Sequence, residues 1–313
     1  MSPSAIVHLQ SRRRWLARAG VLLMGMGAAA ARAAPLPAAT RDRRDLVIAV
    51  SDSSESTRKV VTDLRRRFPR AQVSDAKVPA SRRAMVIAVG PVALRAVMAD
   101  VGEGPVVSVF TSSQVYHSII ETAGDRRSAA TAIYAEPSPA AQLRLVGMLF
   151  KRPVRTAVVL GARTAFLEPS LQRAAAATKM PLVVENYGAG DSINGILSRT
   201  SDAPAILAIP DSLVYNSENL RTVLLTTYRN GQAVVGFSAA LVRAGALATT
   251  YSEVEEINAQ LEELVNDYDL HGRLPEPQFP KYFRTLINED VARSLNLVVD
   301  EIARNFAYRP GQR

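Results

Sequence analysis

Cysteine is absent from all 313 positions, which removes disulfides, thiolate metal centres and cysteine nucleophiles from consideration. Histidine is almost as scarce: only His8, His117 and His271 are present. A His-rich zinc site or a histidine-dependent triad has little to draw on. No nucleophile elbow occurs and no two carboxylates stand at a telling spacing. The glycine-rich run 187-YGAGDSING-195 lacks the Lys-Ser/Thr ending of a phosphate-binding loop. That run reads as a surface loop, and neither an enzyme nor a cofactor is expected. Tryptophan occurs once, at Trp15. The apolar stretch 19-AGVLLMGMGAAAA-31 is shorter than the ~20 residues needed to cross a bilayer.

What is present fits a soluble globular chain, 48% hydrophobic and 21% charged, with one large or two medium domains. Residues 1–33 read as an export signal. A basic, acid-free start is followed by the apolar stretch, and Ala31-Arg32-Ala33 offers small residues for cleavage. The run 11-SRRRWL-16 is compatible with either twin-arginine or general secretory export. No lipid-anchoring cysteine follows, so a soluble periplasmic protein is expected. Arg12, Arg13, Arg14, Arg18 and Arg32 lie in this leader, and losing them lowers the formal net charge from +9 to +4. At that charge no nucleic-acid partner is expected. The basic spot 64-LRRRFPR-70 is a solvated helix end or a binding patch.

Short apolar runs recur at 46-LVIAV-50, 85-MVIAV-89, 106-VVSVF-110, 131-TAIYA-135, 156-TAVVL-160, 182-LVVEN-186, 205-AILAI-209 and 233-AVVGF-237, with a weaker one at 71-AQVSD-75. Most are apolar on both faces, as buried parallel strands must be. Helix-period segments lie between them. The spacing predicts an α/β fold of two doubly wound parallel-sheet lobes with an interlobe cleft. The expected boundaries are 44–134 plus 238–276 for the first lobe and 135–237 plus 281–308 for the second. A long helix over 253–270, a Pro-rich crossing at 274–282 and a last strand at 283–288 complete the pattern.

Ligands of open α/β sheets bind at the carboxyl ends of strands. Candidate ligand-binding residues are therefore Ser51, Asp52 and Ser53 after the first strand, Gly90 at a tight turn into a helix, and Thr111 and Ser112 after the fourth strand. In the second lobe they are Asp211, Ser212 and Tyr215, with Phe237 where the lobes hand over. Each has a plainer alternative. Ser51 to Ser54 suit N-capping, Asp211 and Ser212 suit an Asx turn, and Tyr215 could cover the next helix. As a ligand contact, Asp211 would pair with an ammonium group.

Four stretches carry a resemblance: 136-EPSPAAQLRL-145 leading into 155-RTAVVLG-161, 209-IPDS-212, 234-VVGFSAALVRAGALAT-249 and 288-NEDVARSLNL-297. Residues 131–297 resemble the ABC-transporter substrate-binding family that includes tryptophan/tyrosine-type periplasmic binding proteins. The resemblance implies the type I periplasmic binding protein fold, a small organic solute such as an amino acid or related carboxylate, an inner-membrane ABC permease as partner, and a monomer. The first half departs from the family pattern, because 51-SDSSES-56 and 111-TSSQVYHS-118 carry hydroxyl-bearing residues where His-Pro and Asp-Pro turns are common. A second reading therefore stays open: a periplasmic sensing or envelope-assembly module with little or no solute binding.

Overall fold

The computed structural model describes residues 45–75, 83–99, 102–124 and 129–312. The export signal expected over 1–33 lies outside the described residues. The first sheet contains β1 (Leu46–Val50), β2 (Gln72–Asp75), β3 (Met85–Val89), β4 (Val106–Thr111) and β5 (Ala130–Tyr134), in the order β2-β1-β3-β4-β5. All its pairings are parallel. Its inner strands β1 and β3 are apolar at every position because both faces are covered, while the edge strand β2 is polar and largely exposed. Ile48, Val50, Ile87, Val89, Val107, Val109 and Ile133 face one cluster, and Ala49, Val86, Ala88, Val106 and Ala132 face the other. This is the period-two alternation of a pleated strand with no solvent side.

The first face is closed by α1 (Glu55–Arg67) and α9 (Val254–His271), through Val60, Leu64, Ile257, Leu261 and Leu264. The second is closed by α2 (Gly90–Ala99) and α3 (Ser113–Ala123). The arginines at the end of α1 are not one free patch. Arg67 reaches Asp63 at 2.8 Å and Glu262 of α9 at 2.9 Å, and Asn258 of α9 donates to Asp63 at 3.0 Å. One charged network thus ties α1 to α9, which enters this lobe from far along the chain.

The second sheet repeats the design. Its strands are β6 (Thr156–Gly161), β7 (Leu182–Tyr187), β8 (Ala205–Leu207), β9 (Ala233–Val235), β10 (Ala248–Tyr251) and β11 (Arg284–Ile287). The order is β11-β10-β9-β8-β6-β7, with only β11 antiparallel. Without β11 the order matches that of the first sheet. The helices of this lobe are α4 (Pro139–Phe150), α5 (Glu168–Thr178), α6 (Ile193–Arg199), α7 (Asn219–Arg229), α8 (Ala239–Arg243), α10 (Glu289–Ser294) and α11 (Glu301–Arg304). Three segments join the sheets: β5 to α4, β10 to α9, and α9 to β11.

Two expectations need correction. Residues 238–251 belong with the second sheet, because β10 pairs with β9 and β11, so the crossing back to the first lobe falls just before α9. The segment 238-SAALVRAGALATTYS-252 hid a strand because small residues and threonines carry little apolar signal. The run 187-YGAGDSING-195 is a loop only over its first part. Ser192 accepts from the Gly195 N–H at 3.1 Å and starts α6. Among the described residues, no helix is long and apolar enough to cross a membrane.

A buried glutamine holds the second lobe's layers together. Gln142 Oε1 accepts from the Thr250 N–H at 2.7 Å and its hydroxyl at 3.1 Å, while Nε2 donates to Gly236 O and to Thr249 Oγ1 at 3.3 Å. This binds α4 to the β9–β10 edge. Replacing Gln142 by Leu removes these partners from buried groups. Gln142→Leu is expected to lower the unfolding free energy by about 2 kcal/mol, read from urea unfolding. An unchanged midpoint would show that the network contributes nothing net.

Candidate functional site

In a sheet of order 2-1-3-4-5, the crevice opens where connections leave in opposite directions, at the carboxyl ends of the first and third strands. In the second lobe that point lies between β6 and β8. It is closed by the protein itself. Asp211, 1% exposed, accepts from the Gly161 N–H at 2.8 Å and from the Thr164 hydroxyl through Oδ2, and from the Leu213 N–H at 2.8 Å through Oδ1. A Cβ on Gly161 would lie 2.7 Å from Asp211 Oδ2. Glycine is therefore required for the carboxylate to reach the strand end. The Asx-turn alternative describes Asp211, and its oxygens are committed to its own lobe.

The equivalent point in the first lobe lies between β1 and β3. There Ser51, Asp52 and Ser53 form one cluster with the start of α1. Asp52 Oδ1 accepts from the Ser54 N–H at 2.9 Å and the Thr57 hydroxyl at 2.7 Å, and Oδ2 accepts from the Ser51 hydroxyl at 3.4 Å. Hydrogen bonds with Ser54, then Thr57, hold the Asp52 carboxyl down at about 2. Gly90 opens α2 with φ +82°, a left-handed conformation that favours glycine. Val92, just beyond it, is 56% exposed.

At the end of β4, Thr111 is buried and Ser112 caps α3, accepting from the Val115 N–H at 3.4 Å. The Ser113 N–H is taken by Glu136, at 2.9 and 3.1 Å from its two oxygens. Glu136 lies on the first crossing and is buried. Burial pushes its carboxyl up, and the bonds from Ser113 only partly oppose this.

The lobes touch through side chains on these same edges. Gln114 Oε1 accepts from the Ser212 N–H at 3.4 Å. The His117 ring lies 3.9 Å from that of Phe166, centroid to centroid, and His117 Nε2 is 3.1 Å from the Tyr134 hydroxyl. Burial holds the imidazole below its ordinary range. Phe279, on the third crossing, packs edge-on to Tyr134 at 5.1 Å. A cavity of about 10 Å³ lies among Glu136, Pro210, Phe237 and Phe279. Tyr215 packs edge-on to Phe237 at 5.7 Å, and burial pushes its phenol up. It covers its own lobe, as the plainer alternative had it. Among the described residues, no group of three or more His, Asp or Glu is placed to hold a metal ion.

The candidates thus fall into two groups. Ser51, Asp52, Ser53, Gly90, Thr111, Ser112 and Ser212 lie at the carboxyl edges, while Asp211, Tyr215 and Phe237 are engaged within the second lobe. Sequence reasoning missed Gln114, Glu136, Gly161 and Thr164. The Pro-rich joint 135-AEPSPAA-141 marked the region of Glu136. Nothing in the sequence paired Gly161 with Asp211, fifty positions away.

Two lobes of matching strand order, joined by three crossings, define the type I periplasmic binding protein fold. No family model matches the chain, and no curated protein matches it. Solved structures do. A substrate-binding protein with adhesive properties from Clostridium difficile, in its ligand-free, open structure, is similar with a TM-score of 0.59 and 13% identity, over 84% of this chain and 98% of that one. A conserved domain protein from Vibrio cholerae is similar at 0.53 and 14%, over 84% and 99%. An ABC domain in complex with L-Trp from Streptococcus pneumonia is similar at 0.50 and 13%, over 83% and 97%. At these identities the likeness is one of fold.

Two outcomes follow from the buried carboxylates. Asp211→Asn places an NH₂ against either the Gly161 N–H or the Leu213 N–H. A loss of about 2 kcal/mol is expected, with the far-ultraviolet circular dichroism unchanged. Wild-type stability after the exchange would remove Asp211 from the core of the lobe. Glu136 has a folded pKa above its unfolded one. Its contribution is complete below the unfolded value and is lost as pH rises through the folded value. Glu136→Gln is therefore expected to gain on wild type as pH rises from about 4.5, with a difference slope of at most about 1.4 kcal/mol per pH unit. Parallel wild-type and variant pH profiles in urea unfolding would contradict this.

Proposed function

We propose that the protein is an exported solute-binding protein that takes a small organic molecule between its lobes and presents it to an ABC permease of the inner membrane. An amino acid or related carboxylate is the proposed solute class. The observation that carries this reading is the meeting of the two carboxyl edges: the first turn of α3 reaches Ser212 at the end of the other lobe. In α/β proteins such edges are where ligands lie. Around this boundary stand hydroxyls, the capped start of α1 and the exposed side chains of Val92 and Leu213, a mixture suited to a small amphipathic solute. Three crossings permit hinge closure, driven by contacts the solute makes only in the closed form. Asp211 does not serve as the partner of an ammonium group in this reading. Asp52 is the acid still exposed at the edge.

One observation favours the second reading, an interaction module with little solute binding: the cavity beneath Phe237 and Phe279 measures only about 10 Å³. A thermal-shift screen against amino acids, small carboxylates, sugars and nucleosides separates the two. A ligand at a hundredfold excess over its Kd adds about 2.7 kcal/mol. A saturable upward shift is expected with at least one amino acid or carboxylate. A flat response across the whole set, from folded protein, would favour the interaction module.

A further inference from the structure

A buried polar atom without a partner is uncommon in folded proteins, and it lowers stability unless something else satisfies it. Gln114 carries such an atom. The residue lies in the first turn of α3 and is 7% exposed. Its Oε1 accepts from the Ser212 N–H at 3.4 Å. That donor requires the oxygen, and not the NH₂, on its side, which sets the amide orientation. Nε2 is bonded to the same carbon, so it stands at the same boundary between lobes. Among the described residues it has no hydrogen-bond partner.

The two buried carboxylates near the boundary are engaged with their own surroundings. Both Glu136 oxygens take the Ser113 N–H. The Asp211 oxygens take Gly161, Thr164 and Leu213. The hydroxyls of Thr111 and Ser113 are also buried with no partner, so polar capacity is left unmet along the junction of β4 and α3, 111-TSSQ-114.

We infer that Gln114 Nε2 is a solute-recognition donor of the interlobe cleft, and that it takes a carbonyl-type oxygen of the ligand, from a carboxylate or an amide. This rests on the solute-binding reading. One side chain then has two tasks. Nε2 holds the solute and Oε1 holds the second lobe, so occupancy and closure are coupled through a single rigid amide. The unmet donor weakens the protein on its own and is satisfied when the solute binds, the usual relation between a recognition site and stability. It also gives selectivity, because a solute without an acceptor at this point leaves the donor unpaired.

The test uses the full chain and two variants. Gln114→Glu keeps an acceptor for the Ser212 N–H and turns the donor into a second acceptor. Gln114→Leu removes both polar atoms. Wild type and variants are titrated by thermal shift with the standard amino acids, short mono- and dicarboxylates and the corresponding primary amides, with sugars as a set outside the proposed class. Comparing each acid with its amide identifies which oxygen is read. The expected result is a wild-type hit whose affinity falls about tenfold or more in both variants. Gln114→Leu removes the unpaired donor and also the acceptor of the Ser212 N–H, so its melting temperature without added compound serves as a check on folding, and the role of Nε2 is read from the affinities. A hit bound equally by wild type and Gln114→Glu would overturn the role of Gln114 and leave solute binding standing. No wild-type hit in any set would overturn solute binding, and the inference with it.

Discussion

The carboxylate of Asp211 holds together the carboxyl edge of the second sheet. Parallel strands with helices on both faces leave polar backbone groups unpaired only at their ends. At the end of β6 the Gly161 N–H is such a group. Asp211 satisfies it, ties in Thr164, and turns its own loop through the Leu213 N–H. The position of Ser212 depends on this turn, and through Ser212 so does the contact with α3. Glu136 does the corresponding work at the start of α3, where it takes the Ser113 N–H. Two buried carboxylates therefore set the edges on which the lobes meet.

This arrangement decides which polar groups are left free at the boundary between the lobes. An acid at a strand end resembles a recognition group when only the sequence is known. Here the acids at the ends of β5 and β8 are used for construction, while the uncommitted donor belongs to an uncharged glutamine. The lobes meet through rings as well, with His117 on Phe166, and Tyr134 packs beside them on Phe279 of the third crossing. Such contacts give the interlobe boundary an apolar part beside its polar edge. In the proposed reading, recognition and hinge closure would share one small set of side chains, with Gln114 placed to affect both.

Much of the fold could be read from local pattern. The runs 46-LVIAV-50 and 85-MVIAV-89 are apolar at every position because helices cover both faces, and that requirement leaves its mark directly in the sequence. The N-cap at Ser54 was legible for the same reason: a cap acts within a few residues. β10 was not legible. Its residues, 248-ATTY-251, are small or hydroxylic, and its place between β9 and β11 is decided by Gln142 and by pairing with a strand more than thirty positions later. The assignment of 238–251 to the wrong lobe had that origin. The alternatives for Asp211 and Tyr215 stayed open for a related reason, since a strand-end acid or aromatic has the same local signature whether it faces a cleft or its own lobe.

The sequence by itself determined the class of fold, the two-lobe plan and most strand and helix positions, because these follow from periodicity, capping and turn chemistry acting over short distances. It also determined that no disulfide or thiolate chemistry can be built, through the absence of cysteine. Only the tertiary structure decided which polar residues were already spent. Satisfaction of a buried donor or acceptor depends on a partner supplied by another element: Gly161 for Asp211, Ser113 for Glu136, Ser212 for one end of Gln114. Those partners lie tens to about a hundred positions away, and no local pattern encodes them.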